Sequence, residues 1–430
     1  NEFMKPNYKL LLLSGVLCCV NIRMASAQKA YTLDECVQKA LTNNVRVKNA
    51  QNELAMAQED SKEAFTKYFP SVSAAAGGFI SDKGLAKMEL APGMSMTMLK
   101  NGVTGSVTAA LPLFTGGQIV NGNKLAHTGE EVKRLQMNLS EKEVELTVQR
   151  YFWQCVVLEE KLKTISEVEQ QLGSILKDVQ ASVEAGLTTK NDLLQVELKQ
   201  NETLSGKLQV QNSLALSKDM LAQYMGCADD SIRIVSPVLY TALTPPDSLR
   251  CDHQAALLQT DEFALLQQNI KASELQYKMT LGKNMPSVAI GGGYAYHNFL
   301  EKDHPFWVGF ATVNVPITGW WGGSHALRKQ KLQLENARNS LTDQSEMLVI
   351  RMQHVWNELN DAYQQTQIAR LSIGKSEENL RMNQDFYDAG TSTMTDLLQA
   401  QTIYQQSRDQ YVEACMQYEL KKREYIQITR

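Results

Sequence analysis

The chain changes hydrophobic period along its length. Residues 120–185 and 324–389 contain no proline, and apolar side chains return there every seven positions. Leu327, Leu334, Leu341, Leu348, Val355, Ala362 and Ala369 form one seam. Met352, Leu359, Ile373 and Leu380 form a second, offset by four. Tyr151, Leu158, Ile165, Leu172 and Val179 repeat likewise in the first half. A sustained seven-residue period predicts long helices packed with a left-handed supercoil. At about 1.5 Å per residue, each proline-free stretch is long enough for one helix of about 100 Å.

Four other segments change to period two: 72–81, 103–112, 287–297 and 306–315. In the second of them Val103, Gly105, Val107, Ala109 and Leu111 alternate with Thr104, Ser106, Thr108 and Ala110, so one face is apolar and the other mostly hydroxyl-bearing. The pairs are joined by Asp82–Gly102 and Asn298–Pro305, which read as connections. About ten tilted residues cross a bilayer as a strand. Tyr294, Tyr296, Phe299, Phe306, Trp307 and Phe310 cluster where an interfacial girdle is expected. Four strands cannot close a barrel, and an open edge in lipid leaves N–H and C=O groups unsatisfied. If these strands span a membrane, several chains share one barrel. Two chains give eight strands and three give twelve, and spacing alone does not choose.

The two patterns occur twice. Ala185-Gly186-Leu-Thr-Thr189-Lys-Asn-Asp192-Leu-Leu-Gln recurs 204 residues later as Ala389-Gly390-Thr-Ser392-Thr393-Met-Thr-Asp396-Leu-Leu-Gln399. Pro112 recurs as Pro316 at the same shift, and Phe69-Pro70-Ser-Val recurs as Met285-Pro286-Ser-Val. The prolines read as strand/helix junctions. The chain therefore divides into a first repeat over 28–240 and a second over 241–430, each supplying a strand pair and a long helical hairpin.

Composition sharpens this picture. Hydrophobic residues make up 43% and aromatics only 7%, which favours long helices over a large aromatic core. The net charge of −4 offers nothing to nucleic acid. Residues 1–27 read as a signal peptide: Met4 as start, Lys5 and Lys9 as basic region, Leu10–Val20 as an apolar stretch too short to span a membrane, and Ala25-Ser26-Ala27 as cleavage site. Lipidation through Cys18 or Cys19 is the alternative. Beyond it no apolar run reaches the length of a membrane helix, which leaves a periplasmic protein or a β-barrel. Cys36, Cys155, Cys227, Cys251 and Cys415 are scattered and odd in number, so they read as small buried residues, not as a disulfide or zinc framework.

These features together resemble the TolC family of outer-membrane efflux proteins over nearly the whole chain after residue 27. The resemblance rests on Tyr31-Thr-Leu-Asp-Glu-Cys-Val-Gln-Lys-Ala-Leu-Thr-Asn43-Asn, on Phe69-Pro70-Ser71, on Pro112-Leu-Phe-Thr-Gly-Gly117, and on the duplicated Ala-Gly turns followed by Asp-Leu-Leu. It implies a mainly α fold with a small β-barrel contribution. In such a fold a homotrimer shares a twelve-stranded barrel in outer-membrane lipid, continued by an α-helical tunnel across the periplasm. It also implies docking to a periplasmic adaptor and to an inner-membrane pump of RND or ABC type. The tip turns of the family correspond to Gly186 and Gly390. Asp396 matches an aspartate that rings the closed constriction, and Asp192 and Tyr387 match a pair that helps hold the closed state. Two positions depart: Gln399 stands where the family has a second aspartate, and Ser392 where it has a latch arginine.

Each of these residues also has a plainer reading. Thr189-x-x-Asp192 and Thr393-x-x-Asp396 are helix capping boxes by spacing, and Gly186 and Gly390 are helix-ending residues. Met88, Met94, Met96 and Met98 place thioethers on one strand face, which suits soft metals, but a flexible apolar surface explains them too. The six histidines form no metal spacing, and Gly291-Gly292-Gly293 lacks the helix a phosphate loop needs. No catalytic constellation or cofactor site is expected. The sequence thus points to a passive exit duct of a tripartite efflux or type I secretion system. The competing reading is a soluble periplasmic coiled-coil scaffold or adaptor.

Overall fold

The computed structural model describes residues 30–83, 86–98, 101–227, 232–236, 243–298, 303–317 and 319–430. The expected signal peptide over 1–27 and Phe299 lie outside the described residues. The chain opens with β1 (Ala30–Tyr31), α1 (Leu33–Asn43) and α2 (Val45–Thr66). Strands β2 (Ser71–Ile80), β3 (Ala86–Ala91), β4 (Met94–Met98) and β5 (Asn101–Phe114) follow. Then come α3 (Gln118–Glu184), α4 (Lys190–Tyr224), β6 (Arg233–Ile234), α5 (His253–Leu257) and α6 (Asp261–Lys283). The chain closes with β7 (Ser287–His297), β8 (His304–Asn314), α7 (Gly319–Asp388) and α8 (Met394–Ile428). Two compact units result: one from the described residues up to 48, of 140–251 and of 352–430, the other from those of 49–139 and 252–351. Each unit draws on both halves of the sequence.

The first unit is a helical bundle with a buried seam. From α3 it buries Val144, Val148, Phe152, Cys155 and Val156, and from α8 Tyr411, Val412 and Cys415. Leu221 of α4 and Cys36, Val37 and Ala40 of α1 complete the cluster. Ile165, Leu172 and Val179 follow the seven-residue seam and are buried. Tyr151 and Leu158 are only half-buried, because α1 joins the packing there and the buried face broadens to Phe152, Trp153, Cys155, Val156 and Val157. In α7, Met352, Val355, Leu359, Ala362 and Ala369 are buried as their spacing predicts. Cys36, Cys155 and Cys415 lie in the core, and burial pushes the Cys36 and Cys155 thiols up to about 12. Cys227 is half-buried and Cys251 exposed, so burial does not account for every cysteine.

Ion pairs fix which helices are neighbours. Lys161–Glu413, Arg408–Glu167 and Arg423–Glu145 join α3 to α8, Lys207–Glu169 and Lys218–Glu159 join α3 to α4, and Lys421–Glu358 joins α7 to α8. Such pairs, still reached by water, contribute little energy, typically about 1 kcal/mol or less each, but they penalise a slipped register.

The second unit carries a four-stranded antiparallel sheet in the order β2-β5-β7-β8. The first strand pair thus joins the second through β5 and β7, a pairing that spacing could not supply. Several boundaries differ from the sequence reading. β5 runs through Pro112 to Phe114, so Pro112 lies inside a strand; the missing N–H coincides with a register shift between Pro112 and Phe114. Pro70 and Pro286 do stand immediately before β2 and β7, and Pro316 lies between β8 and α7. β8 begins at His304 and takes in Pro305, which an edge strand tolerates. The connection over 82–102 contains a second hairpin, β3–β4, turned at Pro92-Gly93, with Gly93 at φ +91° as a type II turn requires. The methionines at 88, 94, 96 and 98 belong to this hairpin, whose strand side chains lie outside the described set.

One buried charge is open to a direct check. Asp409 of α8 sits half-buried, and desolvation raises its carboxyl to about 6, opposed by Lys161 and Arg408 and reinforced by Glu413. A carboxyl raised above its unfolded value of about 3.9 favours the folded state on protonation, so its ionisation costs stability at neutral pH and the cost fades as pH falls through 6 towards 4. Asp409→Asn should raise the thermal unfolding midpoint at pH 8 and leave it nearly unchanged at pH 4.5, read by circular dichroism in detergent.

Candidate functional site

Two regions carry the expected functional residues: the paired helix-turn-helix ends in the first unit and the sheet in the second. At the first turn, α3 ends where Gly186 takes φ +75°, and its neighbours close a Schellman-type pattern with Leu187 N donating to the Ser182 carbonyl at 2.8 Å. The second turn repeats it at Gly390, φ +71°, with Thr391 N donating to Phe386 O at 2.9 Å. In each turn the chain reverses within a few residues and starts a 35-residue helix.

Both new helices begin with full capping boxes. Thr189 N and Oγ1 donate to Asp192 Oδ2 at 3.2 and 2.9 Å, and Asp192 N returns to Thr189 Oγ1 at 3.3 Å. Thr188 Oγ1 adds a third donor to the same oxygen at 2.6 Å. In the second box Thr393 N and Oγ1 lie 3.1 and 2.6 Å from Asp396 Oδ2, and Asp396 N lies 3.2 Å from Thr393 Oγ1. Ser392 Oγ donates at 3.3 Å, so a short hydroxyl supports the aspartate where the resemblance has an arginine. The Thr188 hydroxyl, helped by Thr189, lowers the Asp192 carboxyl from its ordinary value, and the Thr393 hydroxyl and amide do the same for Asp396.

Leu397 and Met394 of α8, Val196 of α4 and Val179 of α3 bury one small core beneath the two turns. Val183 and Tyr387, which occupy matching places before the glycines, both pack against it. Tyr387 is half-buried, and its phenol is raised by that burial first and then by the charges of Asp192, Asp388 and Asp178. Among the described residues no hydrogen bond joins Asp192 to Tyr387; their link in this protomer is electrostatic. Asp396 and Gln399, three apart, are both exposed on α8, flanking the buried stripe of Leu397 and Ala400. Two links escaped the sequence reading. Thr395 Oγ1 donates to Gln195 Oε1 at 3.0 Å, tying the starts of α8 and α4, and buried Gln401 donates to Gln171 Oε1 at 3.0 Å. Glutamines on otherwise polar helices give no periodic signal, so only the packing exposes them.

The sheet sorts its residues by face. Register places Ser71, Ser73, Thr104, Ser106, Thr108, Ser287, Thr312, Asn314, His297 and His304 on one side, with Phe79, Phe306, Val308 and Phe310 among them. Ser73 Oγ and Thr108 Oγ1 meet there at 3.1 Å. Phe310 lies against Gly291, where a side chain would collide with its ring. The other side presents Val72, Val107, Leu111, Ile290, Tyr294, Trp307 and Val313. Tyr294 and Trp307 pack edge-on at 5.1 Å, yet Trp307 is 81% exposed and Val313 68%. Large apolar groups this exposed on a sheet signal a surface that meets an apolar medium or a partner. No helix among the described residues is long and apolar enough to cross a membrane.

The sequence profile of the family described as "Outer membrane efflux protein" matches residues 36–227 and 253–424. No curated protein sequence matches the chain significantly. Solved structures share the fold at low identity. The outer membrane protein VceC of Vibrio cholerae is 13% identical with a TM-score of 0.77, covering 92% of this chain and 96% of its own. The outer membrane channel CmeC of Campylobacter jejuni is 13% identical with a TM-score of 0.78, covering 92% and 85%. The MtrE channel of Neisseria gonorrhoeae, solved in an open state, is 13% identical with a TM-score of 0.73, covering 92% and 88%.

The capping geometry gives a local test. Thr393→Ala should loosen the first turn of α8 by about 1 kcal/mol, and Gly390→Ala should strain the reversal by about 1–2 kcal/mol. Hydrogen exchange at residues 391–397 reads both. Because the Asp396 carboxyl is lowered, the stability it gives is present above the unfolded value of about 3.9 and is lost as pH falls through the folded value. Exchange protection of that turn should therefore hold from pH 8 to 5 and fall only below about pH 4.

Proposed function

Because the chain belongs to the outer membrane efflux protein family, as an outer-membrane channel with a large periplasmic part, we propose that three copies form one exit duct sharing a twelve-stranded barrel. The observation that carries this is the sheet β2-β5-β7-β8, whose outer strands are each paired on one side only among the described residues. In hydrocarbon those free edges are untenable. Joining β8 of one copy to β2 of the next satisfies both edges. The sheet alternates direction through an even number of strands, so each such joint is antiparallel too. This is a head-to-tail contact that closes into a ring. An eight-stranded ring would fill its interior with side chains, whereas twelve strands leave room for an aqueous lumen. The hydroxyl-bearing face then lines the lumen, and the Trp307 face meets lipid.

The same reading treats 28–240 and 241–430 as structural repeats, each giving one strand pair and one helical hairpin. It places the turns at Gly186 and Gly390 at the periplasmic tip, where an adaptor and an inner-membrane pump of RND or ABC type engage the duct. Asp396 is taken to ring the constriction with Gln399, Asp192 and Tyr387 to steady the closed tip, and Ser392 to replace a charged latch. A soluble scaffold is not favoured, since it would leave the exposed sheet without a partner.

Purified chain in detergent should run as a trimer by light scattering, and washed outer membranes should retain it through carbonate extraction. A monomer released by carbonate would sink the barrel. In planar bilayers, Asp396→Ala should weaken block by multivalent cations added to the tip side; unchanged block would return Asp396 to capping alone.

A further inference from the structure

We propose that His297 and His304 form a binding site for a divalent transition-metal ion of the Cu²⁺, Ni²⁺ or Zn²⁺ class. His297 ends β7 and His304 begins β8, and register sets them directly opposite each other. Their rings stack with centroids 5.2 Å apart and planes 5° from parallel. Directly opposed side chains have Cβ atoms only about 4.5–5.5 Å apart, so the pair is held close by the sheet itself. Two metal–nitrogen bonds of about 2.0–2.1 Å bridge nitrogens up to about 4 Å apart. The second histidine torsion is soft, so both rings can turn from the stack towards a shared ion.

The surroundings favour this ion class. Phe306 packs edge-on against both rings, at 5.8 Å from His297 and 5.9 Å from His304, and walls one side of the pair. His304 is exposed, which leaves an entry path. Asp303, next to His304, is held by the Tyr296 hydroxyl at 2.5 Å on the opposite face of the hairpin, so among the described residues the donor set is the two imidazoles. Imidazole suits copper, nickel and zinc, while calcium and magnesium seek oxygen. Water completes the coordination. The pair lies on the hydroxyl-bearing face. Its place inside the lumen, as three pairs around the hairpin end of the barrel, rests on the reading above, whereas ion binding by one protomer does not.

Cu²⁺ titrated into the full-length protein in detergent, followed by electron paramagnetic resonance, should give one tight ion per chain with two-nitrogen coupling. His297→Asn and His304→Asn should each lower affinity on the order of a hundredfold, at or above what even an outer-shell partner is worth. Ca²⁺ and Mg²⁺ should not compete. The other four histidines remain in the double variant. If that variant binds Cu²⁺ as the parent does, or the parent shows no nitrogen coupling, the site is refuted. In bilayers, Cu²⁺ on the hairpin side should reduce conductance of the parent and not of the double variant. Binding without any conductance change would leave the metal site standing and overturn its lumenal placement.

Discussion

An unpaired peptide group cannot be left in hydrocarbon, and the architecture of this protein follows from that. A helix satisfies its own backbone, but no described helix here is apolar enough to enter a bilayer. Among the described residues, the four-stranded sheet leaves each of its outer strands paired on one side only. Its Trp307 and Val313 side chains are already exposed outward, so the same sheet that needs neighbours at its edges also needs an apolar medium on one face. In the proposed barrel, assembly is therefore a condition of the membrane-inserted fold and not an addition to it. The even strand count makes the proposed joint between β8 of one copy and β2 of the next antiparallel like the rest of the sheet, so the head-to-tail contact can close into a ring.

The helical unit solves a different problem. Its long helices end above one small apolar core, and they end by local chemistry. Glycine at positive φ reverses the chain, and Thr-x-x-Asp captures the free N–H groups of the next helix. The aspartates that cap are thereby held ionised and pointed by hydroxyls instead of by a basic partner. Asp396 is the more exposed of the two, and its Oδ2 is already committed to Thr393 and Ser392. Any gating role has to be compatible with that duty. Removing the carboxylate disturbs the helix start as well as the charge, which is why exchange and conductance must be read together.

Much was legible in the amino-acid order because it depends on local periodicity. The seven-residue seam through Leu172, Val179, Val355 and Leu359, the alternation through Val103–Leu111 and the two Ala-Gly turns all survive as structure. The proline rule was less secure. Pro112 reads as a boundary yet sits within β5, because a register shift there accommodates its missing donor. Pro305 likewise lies inside β8, as its second residue. The β3–β4 hairpin hid in a segment of weak alternation.

What the sequence determined by itself is therefore the kind of element at each place: the long helices, the four sheet strands and the two glycine turns. Those follow from side-chain period and from the turn chemistry of glycine. Tertiary structure alone decided that β5 pairs with β7, that His297 stacks on His304, that Thr395 reaches Gln195, and that α1 broadens the buried face around Phe152. These are meetings between residues distant in the chain or set by exact strand register. No local pattern encodes them, because each depends on how whole elements pack.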